Sequence, residues 1–226
     1  MFKYILFDLD GTLTDPKIGI TRSVQYALYA LGIDEPSLDR LEPFIGPPLA
    51  DSFREFYGLN EEQIAVAIAK YRERFAQQGI YENEIYPGIS EMLAELKRKG
   101  KILAIASSKP TLFVEQILDY FDIRKYFDFV VGSNMDGTRS RKEEVVEEAL
   151  RQMVSAEMIP SEKKDTVVMV GDRKFDIEGA KAQGITSVGV SFGYASEGEL
   201  EQAGADFTVN SVELLSAVLT LGTVQQ

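Results

Sequence analysis

An apolar run leads directly into two carboxylates in Tyr4-Ile5-Leu6-Phe7-Asp8-Leu9-Asp10-Gly11-Thr12, and a Gly-Thr turn follows them. Side chains alternate along a strand, so Asp8 and Asp10 leave the strand end on the same side and close enough to act together. Like charges resist joint ionisation unless a cation or a proton lies between them. Two carboxylates at the end of a buried strand therefore indicate a functional site.

A structural turn and a calcium-binding loop are two alternatives to a catalytic site at this stretch. Asp-Gly is a common turn pair, and an Asp at a strand end often serves only as a cap, so a purely structural role stays open here. A calcium-binding loop requires Gly at its sixth position and Glu at its twelfth. Counted from Asp8, these positions hold Leu13 and Gly19, which excludes the calcium loop.

The composition is that of a soluble globular protein. The chain has 226 residues, of which 45% are hydrophobic and 27% charged, which suits one large domain or one domain with an insert. Its net charge of −12 disfavours nucleic acid or an anionic membrane as a partner, because both require a basic surface. The chain enters a strand without a signal-peptide pattern and has no apolar run of membrane-spanning length. We therefore expect a cytoplasmic protein that is a monomer or a weak dimer.

The chain contains neither cysteine nor histidine. Disulfides, thiol nucleophiles, zinc thiolates, Ser-His-Asp catalysis and imidazole ligands are thereby excluded. Proton transfer must be performed by carboxylates, lysines or tyrosines. Any bound metal must be held mainly by oxygen atoms, which favours Mg²⁺.

Apolar, β-branched runs alternate with helical patterns along most of the chain. The predicted strands are Ile5–Phe7, Ile102–Ala106, Phe129–Val131, Val167–Val170 and Val188–Val190. The predicted helices between them are Ser90–Arg98, Leu112–Tyr120, Arg141–Met153 and Phe175–Gln183. Alternation of this kind predicts an α/β fold with a Rossmann-like, doubly wound parallel sheet.

One segment interrupts the alternation, because no convincing strand occurs between Asp15 and about Ile80. It contains three helical patterns instead, at Ile20–Leu31, Leu49–Tyr57 and Glu61–Gln78. We expect an inserted all-helical cap domain at residues 15–83, with the α/β core formed by residues 1–14 and 84–226. Ligands of open α/β sheets bind at the carboxyl ends of the strands, so a cap at this point is predicted to act as a lid that excludes water.

Polar groups follow several predicted strands and complement one another chemically. Besides the opening motif, they occupy Ala106-Ser107-Ser108-Lys109, the helix start Ser140-Arg141-Lys142-Glu143, and Gly171-Asp172-Arg173-Lys174-Phe175-Asp176. A nucleophile, a hydroxyl, a cation and further carboxylates are thus expected to converge at one edge of the sheet.

With these motifs in place, the chain resembles the haloacid dehalogenase superfamily of phosphatases, and within it the phosphoglycolate phosphatase-like branch with a small helical cap. The resemblance covers nearly the whole length. The D-x-D-G-T opening and the G-D-x-x-x-D signature are each weak alone but specific in this order and separation.

The resemblance implies roles for the opening motif. Asp8 resembles the nucleophile that attacks phosphorus and forms an aspartyl-phosphate. Asp10 resembles the general acid that protonates the leaving oxygen and then the base that activates water. Thr12 resembles the residue that holds this loop.

The resemblance also implies a phosphate site and a metal site. Ser107 resembles the hydroxyl that binds a phosphoryl oxygen, and Lys142 resembles the lysine that neutralises the nucleophile and the phosphoryl group. Asp172 resembles the Mg²⁺ ligand, beside Asp8 and the main-chain carbonyl of Asp10. Asp176 is expected to be a second acidic ligand or a partner of the ligands.

Several of these assignments have competitors. Lys109 also follows a strand and is the alternative to Lys142 as the phosphate-binding lysine. The simplest interpretation of either lysine is a solvated position on the surface. Asp136-Gly137-Thr138 mimics the opening motif, but no apolar strand directly precedes it, which indicates a turn. A phospho-accepting receiver domain and a non-catalytic family member that serves as a binding module are the alternative functions. The former is much shorter, and the latter disagrees with the intact motifs.

Differences between this chain and other branches of the superfamily that it resembles indicate the reaction class. Dehalogenating and phosphonate-cleaving relatives lack the second carboxylate, which is present here as Asp10. The sugar phosphomutase branch uses a cap histidine, and this chain has no histidine. Phosphomonoester hydrolysis remains, with 2-phosphoglycolate as the first expected substrate and pyrophosphate or a nucleoside monophosphate as alternatives. Selectivity is predicted to reside in the cap segment Pro16–Arg22.

Overall fold

The computed structural model describes residues 1–157 and 164–221. The strands are β1 (Tyr4–Phe7), β2 (Thr14–Asp15), β3 (Glu84–Ile85), β4 (Ile102–Pro110), β5 (Phe129–Ser133), β6 (Val167–Gly171), β7 (Thr186–Val190) and β8 (Phe207–Val209). The α-helices are α1 (Lys17–Ala30), α2 (Leu49–Tyr57), α3 (Glu61–Arg74), α4 (Ile89–Arg98), α5 (Thr111–Tyr120), α6 (Lys142–Ser155), α7 (Lys174–Gln183), α8 (Glu199–Ala203) and α9 (Val212–Leu221).

Within the described residues, six strands form one sheet in the order β5-β4-β1-β6-β7-β8. Every neighbouring pair in it is parallel. In this order the chain moves outward from β1 on one side through β4 and β5, and then returns to the other side through β6, β7 and β8. This is the doubly wound arrangement of a Rossmann-like fold, so the predicted α/β class is confirmed.

The central strands are buried on both faces. Ile5, Leu6 and Phe7 of β1 are all fully buried, as expected when helices cover a parallel sheet and the strands read as continuous apolar runs. On one face, Leu6 and Met169 join a hydrophobic cluster to which α6 contributes Val145, Val146, Ala149 and Met153. Burial of these side chains fixes the strand ends from which the functional groups project.

The chain divides into two compact units, the first formed by Met1–Thr14 with the chain from Ile85 onward, and the second by Asp15–Glu84. The second unit contains α1, α2 and α3, a 3₁₀ helix at Asp39–Phe44 and a π-helical turn at Phe75–Gly79. Inside it, the Lys17 ammonium lies 3.1 Å from the Asp39 carboxylate and 2.6 Å from the Glu42 carboxylate. That this unit serves as a cap stays a prediction.

The secondary structure departs from the sequence prediction at several places, and the short strands β2 and β3 and the helices α8 and α9 were not predicted. The strand predicted to end at Ala106 continues to Pro110, because Pro110 resumes pairing with Ser133 after a register shift. The helix predicted over Glu61–Gln78 changes from α to π geometry at Phe75. Strand β8 was not predicted, because three residues are too few for a periodic signal and its pairing with β7 defines it.

Candidate active site

The candidate site lies at the point where the strand order reverses, between β1 and β6. Phe7 is paired with Val170 of β6 on one side and with Ile105 of β4 on the other. Asp8, directly after β1, is therefore level with Gly171, and Asp172 follows one residue beyond. Ligands of doubly wound sheets bind in the crevice at the carboxyl ends of such strands.

The loop after β1 is folded tightly around the main-chain carbonyl of Leu9. The amides of Leu13 and Thr14 donate to this carbonyl at 2.9 and 3.1 Å, and Asp8 N donates to Val170 O at 2.9 Å. Gly11 has a φ of 81°, and a Cβ at this position would lie 2.0 Å from Asp172 Oδ2. Only glycine satisfies both requirements, so the Asp-Gly pair brings the first motif against the last one.

Lys142 connects the first and last motifs. It begins α6, and its Nζ lies 2.9 Å from Asp8 Oδ1 and 2.8 Å from Asp176 Oδ1. The same Nζ donates to Ala106 O at 3.2 Å. Asp8, Lys142 and Asp176 are all buried, so the pairing is formed away from bulk solvent, where electrostatic interactions are strong.

Lys109 is the second lysine of the site, and it pairs with a different carboxylate. Its Nζ lies 2.8 Å from Asp10 Oδ1 and 2.7 Å from Asp10 Oδ2, and both side chains are buried. A surface role is wrong for Lys109 and for Lys142. The two lysines that the sequence left as competitors are both present, and each contacts its own carboxylate.

Ser107 lies in β4, is buried, and accepts a hydrogen bond of 3.4 Å from the amide of Lys109. It follows Ala106, the residue level with Asp8 in the neighbouring strand. Thr12 donates to Asp172 Oδ1 at 3.4 Å, so it links the first loop to the last motif. The hydroxyl groups that the sequence singled out therefore lie at the same edge of the sheet as the carboxylates.

Burial raises the pKa of Asp172, Asp176 and Asp10. It raises the pKa of Asp172 well above its ordinary value, and the charges of Asp176 and Asp8 add to this effect. Burial also raises the pKa of Asp176 to about 6 against the opposing influence of Lys142, and it raises the pKa of Asp10 in spite of Lys109. For Lys142, burial acts against the charged form, but Asp176 and Asp8 outweigh it and raise the pKa.

The donor set fits a divalent cation. Asp8, Asp172 and Asp176 each offer a carboxylate oxygen, and the three atoms lie within 4.8 Å of one another. When all four site carboxylates are ionised, the two site lysines leave two negative charges among these described residues, which a divalent cation would neutralise. Three hard oxygen donors of this kind suit Mg²⁺. The side chain of Asp10 is not part of this carboxylate cluster, because it pairs with Lys109. The metal ligand predicted at Asp10 is its main-chain carbonyl.

Some contacts of the site were not predicted. The amide of Tyr194, in the loop after β7, donates to Asp172 Oδ2 at 2.8 Å. A backbone amide donor cannot be recognised from residue type. The Gly193-Tyr194 pair, which follows the predicted strand Val188–Val190, was a weak signal for a loop near the site.

The turn predicted at Asp136-Gly137-Thr138 is confirmed. Asp136 accepts hydrogen bonds from Thr138 N and Oγ1 at 2.9 and 2.6 Å.

Among residues 1–157 and 164–221, no helix combines the length and apolar character that crossing a membrane requires.

Comparisons with known proteins agree with this geometry. The family of haloacid dehalogenase-like hydrolases matches residues 5–190. A 5'-nucleotidase of Pseudomonas aeruginosa is 47% identical over 196 residues, which cover 87% of this chain and 86% of that protein. A phosphoglycolate phosphatase of Vibrio parahaemolyticus is 32% identical over 225 residues, covering 96% of each.

Two further similarities complete the comparison. A crystal structure described as a predicted phosphatase from Clostridium acetobutylicum superposes with a TM-score of 0.91 at 44% identity, covering 98% of this chain and 99% of that one. A tyrosine-protein kinase of Mycobacterium tuberculosis is 38% identical over 190 residues, which are 84% of this chain but 62% of that protein.

The chain therefore belongs to the haloacid dehalogenase-like hydrolase family. Within that superfamily it is an enzyme of the phosphatase class.

Proposed function

We propose that this enzyme is a Mg²⁺-dependent phosphomonoesterase that hydrolyses a small phosphorylated metabolite through an aspartyl-phosphate on Asp8. The observation that carries the proposal is the buried cluster in which the Lys142 ammonium lies 2.9 Å from Asp8 Oδ1, with Asp172 and Asp176 alongside. A carboxylate attacks an anionic phosphoryl group only where positive charge offsets the repulsion. Lys142 supplies one such charge, and the carboxylates of Asp8, Asp172 and Asp176 are placed to hold a divalent cation that would supply the rest.

The proposed chemistry has two steps. In the first, an Asp8 carboxylate oxygen forms a bond to phosphorus while the ester oxygen leaves and takes a proton from Asp10. In the second, water attacks the aspartyl-phosphate, Asp10 takes a proton from that water, and phosphate leaves Asp8 in its original state. Asp10 is thus returned to its protonated form for the next turnover.

The other site residues bind and neutralise the phosphoryl group. Ser107 Oγ is proposed to donate to a phosphoryl oxygen, and Lys142 to neutralise both Asp8 and the group that it attacks. Asp8, Asp172, Asp176 and the Asp10 carbonyl are the proposed ligands of Mg²⁺. When bound, this ion offsets negative charge on the transferred group, which phosphoryl transfer requires more than it requires covalent chemistry.

The substrate is a phosphomonoester, and the relatives favour two classes of it. The sequence alone favours 2-phosphoglycolate, and the phosphoglycolate phosphatase at 32% identity agrees with that choice. The 5'-nucleotidase is more similar, at 47% identity over 86% of its length. We therefore infer that nucleoside 5'-monophosphates are the first class to test and 2-phosphoglycolate the second.

Phosphate release from a panel of esters with Mg²⁺ tests this proposal. The panel contains nucleoside 5'-monophosphates of all common bases, 2-phosphoglycolate, simple sugar phosphates and pyrophosphate. We expect the highest kcat/KM on a monoester. Release of phosphate from pyrophosphate alone would contradict the proposal and favour a pyrophosphatase, and no turnover of any compound would favour a binding module.

We further propose that the unit Asp15–Glu84 is a cap that selects the leaving group. Arg22 lies in this unit, where it pairs with Glu82 at 2.8 Å, and half of its side chain is exposed. Substituting Arg22 or Lys17 by alanine is expected to change the ranking of substrates in the panel severalfold, whereas hydrolysis of acetyl phosphate changes far less, because its leaving group offers little to recognise. Equal slowing of every substrate would contradict a selective role for this segment.

Lys109 is proposed to hold Asp10 in place for proton transfer. Replacing Lys109 by Met keeps the length of the side chain but removes the ion pair to both Asp10 oxygens. We expect turnover of an alkyl phosphate to fall about a hundredfold, because general acid–base catalysis contributes about 10²–10⁴ and requires a positioned group. Cleavage of p-nitrophenyl phosphate should fall much less in the first step, because p-nitrophenolate leaves without a proton.

The comparison of the two esters separates a positioning role from a general structural one. The burst of p-nitrophenolate in the first turnover reports bond cleavage alone, before Asp10 is required as a base. Lys109→Arg, which keeps the charge, serves as the matched control and should retain more activity toward the alkyl phosphate. An equal loss on both esters in the burst phase would contradict the assignment.

The cytoplasmic location, the absence of nucleic acid and membrane partners, and the monomeric or weakly dimeric state stay predictions. Sedimentation of the purified protein over a range of concentrations would test the last of them.

A further inference from the structure

Glu199 joins two segments that both adjoin Asp172. Its Oε1 accepts hydrogen bonds of 2.9 Å from the Nε of Arg173, which directly follows Asp172, and from the amide of Lys174, which begins α7. Its Oε2 accepts a hydrogen bond of 3.1 Å from the amide of Ser196, in the loop after β7. One carboxylate therefore connects the start of α7 to the loop before α8.

The ionised form of Glu199 suits this role. Partial burial acts to raise its pKa, but the hydrogen bonds from Arg173, Lys174 N and Ser196 N together lower it. The pair with Arg173 is largely shielded from solvent, since the two side chains are 11% and 13% exposed. An anion with three donors in such a position is held firmly.

The loop that Glu199 holds is in direct contact with Asp172. Tyr194, two residues before Ser196, donates its amide to Asp172 Oδ2 at 2.8 Å. Gly193 packs so closely that a Cβ there would lie 2.4 Å from Asp172 Cβ and 2.3 Å from Gly11 O. Asp172 is completely buried, and its orientation is set from one side by β6 and from the other by this loop.

We propose that Glu199 is a positioning residue for the Mg²⁺ site, acting through the loop that carries the Tyr194 amide onto Asp172. This inference rests on the proposed function, because it assumes that Asp172 is a metal ligand. Partners that orient a ligating carboxylate typically account for about 10–100-fold in metal affinity. In the described part of the chain the Glu199 carboxylate bonds to Arg173, Lys174 and Ser196, none of them a proposed ligand, so it acts through these neighbours.

The simpler alternative is that Glu199 only closes the start of α8. Ser196 and Glu199 have the S-x-x-E spacing of a capping box. The N-cap of α8 is Gly198, however, and Glu199 N donates at 3.0 Å to the main-chain carbonyl of Ser196, which closes a turn before the helix. A capping role alone would affect the stability of the protein with and without metal equally. A positioning role would change the affinity for Mg²⁺, which distinguishes the two.

The experiment titrates metal-free protein with Mg²⁺ and measures Kd by calorimetry and by the Mg²⁺-dependent rise in melting temperature. Glu199→Gln keeps the size of the side chain but replaces one acceptor oxygen by an NH₂ group. We expect its Kd for Mg²⁺ to be about tenfold weaker. The matched control is Glu201→Gln, on the same short helix and exposed, which should bind Mg²⁺ as the wild type does.

Each result decides the inference. A Kd for Glu199→Gln within twofold of the wild type would overturn it, even if the melting temperature without metal is lower. If Glu199→Gln does not fold, Arg173→Met removes one of the three donors and must weaken Mg²⁺ binding in the same direction, or the inference fails. A wild-type protein that binds no Mg²⁺ would instead contradict the proposed function itself.

Discussion

Replacing Asp8 by Asn is expected to lower phosphomonoester turnover about 10⁵-fold, because an amide cannot form the phosphorylated intermediate and the two-step route is lost. The substitution preserves size, so the fold around β1 should persist. Phosphate release by purified protein measures the loss, and circular dichroism checks the fold.

The control for this prediction is Asp119→Asn, which makes the same chemical change at an exposed position on α5 and should leave turnover unchanged. Mass spectrometry must verify that the Asn at position 8 has not deamidated, because reversion to Asp would restore activity. Retention of a few per cent of activity by verified Asp8→Asn protein would rule out Asp8 as the nucleophile.

Removing divalent metal is expected to reduce turnover about a thousandfold or more. Without a cation, the buried carboxylates Asp8, Asp172 and Asp176 repel an anionic ester, and metal-ion stabilisation of the transition state is worth several kcal/mol. Dialysis against EDTA followed by a phosphate-release assay measures the loss, and added Mg²⁺ should restore activity. EDTA already saturated with Mg²⁺ is the control for effects of the chelator itself.

Calcium distinguishes binding from catalysis at the same site. Ca²⁺ accepts six to eight oxygen ligands in flexible geometry, whereas Mg²⁺ demands a near-octahedral arrangement. We therefore expect Ca²⁺ to raise the melting temperature of the metal-free protein but to support little turnover. Full activity after exhaustive chelation would contradict metal dependence altogether.

The sheet and its flanking helices were largely predictable from the sequence. The apolar runs at Ile5–Phe7 and Val167–Val170 lie within β1 and β6, and the helical pattern at Leu112–Tyr120 lies within α5. Buried parallel strands consist of continuous apolar residues, and amphipathic helices repeat every 3.6 residues, so both leave a local signal.

Features that depend on contacts between distant segments were not predictable in the same way. The change to π geometry at Phe75–Gly79 lies where Gly79 approaches Gly19 so closely that a Cβ would be 2.9 Å from Gly19 O. The extension of β4 to Pro110 depends on its pairing with Ser133. Neither partner is near in sequence, so no window of local sequence contains the cause.

The sequence by itself determined which functional groups the site of this protein contains. Without histidine or cysteine, the site consists of carboxylates, hydroxyls and lysines, and the motif order assigns these groups to the ends of particular strands. Residue type and spacing carry this information because strand direction and side-chain alternation are local properties.

Only the tertiary structure decided which charged side chains pair with one another. Lys142 lies between Asp8 and Asp176, while Lys109 pairs with Asp10, although Lys109 and Lys142 were equivalent candidates as residue types. Glu199 contacts both segments that flank Asp172, and no motif connects them. Pairing energies depend on distances of a few ångströms, and here the order of strands in the sheet, rather than the order of residues along the chain, determines those distances.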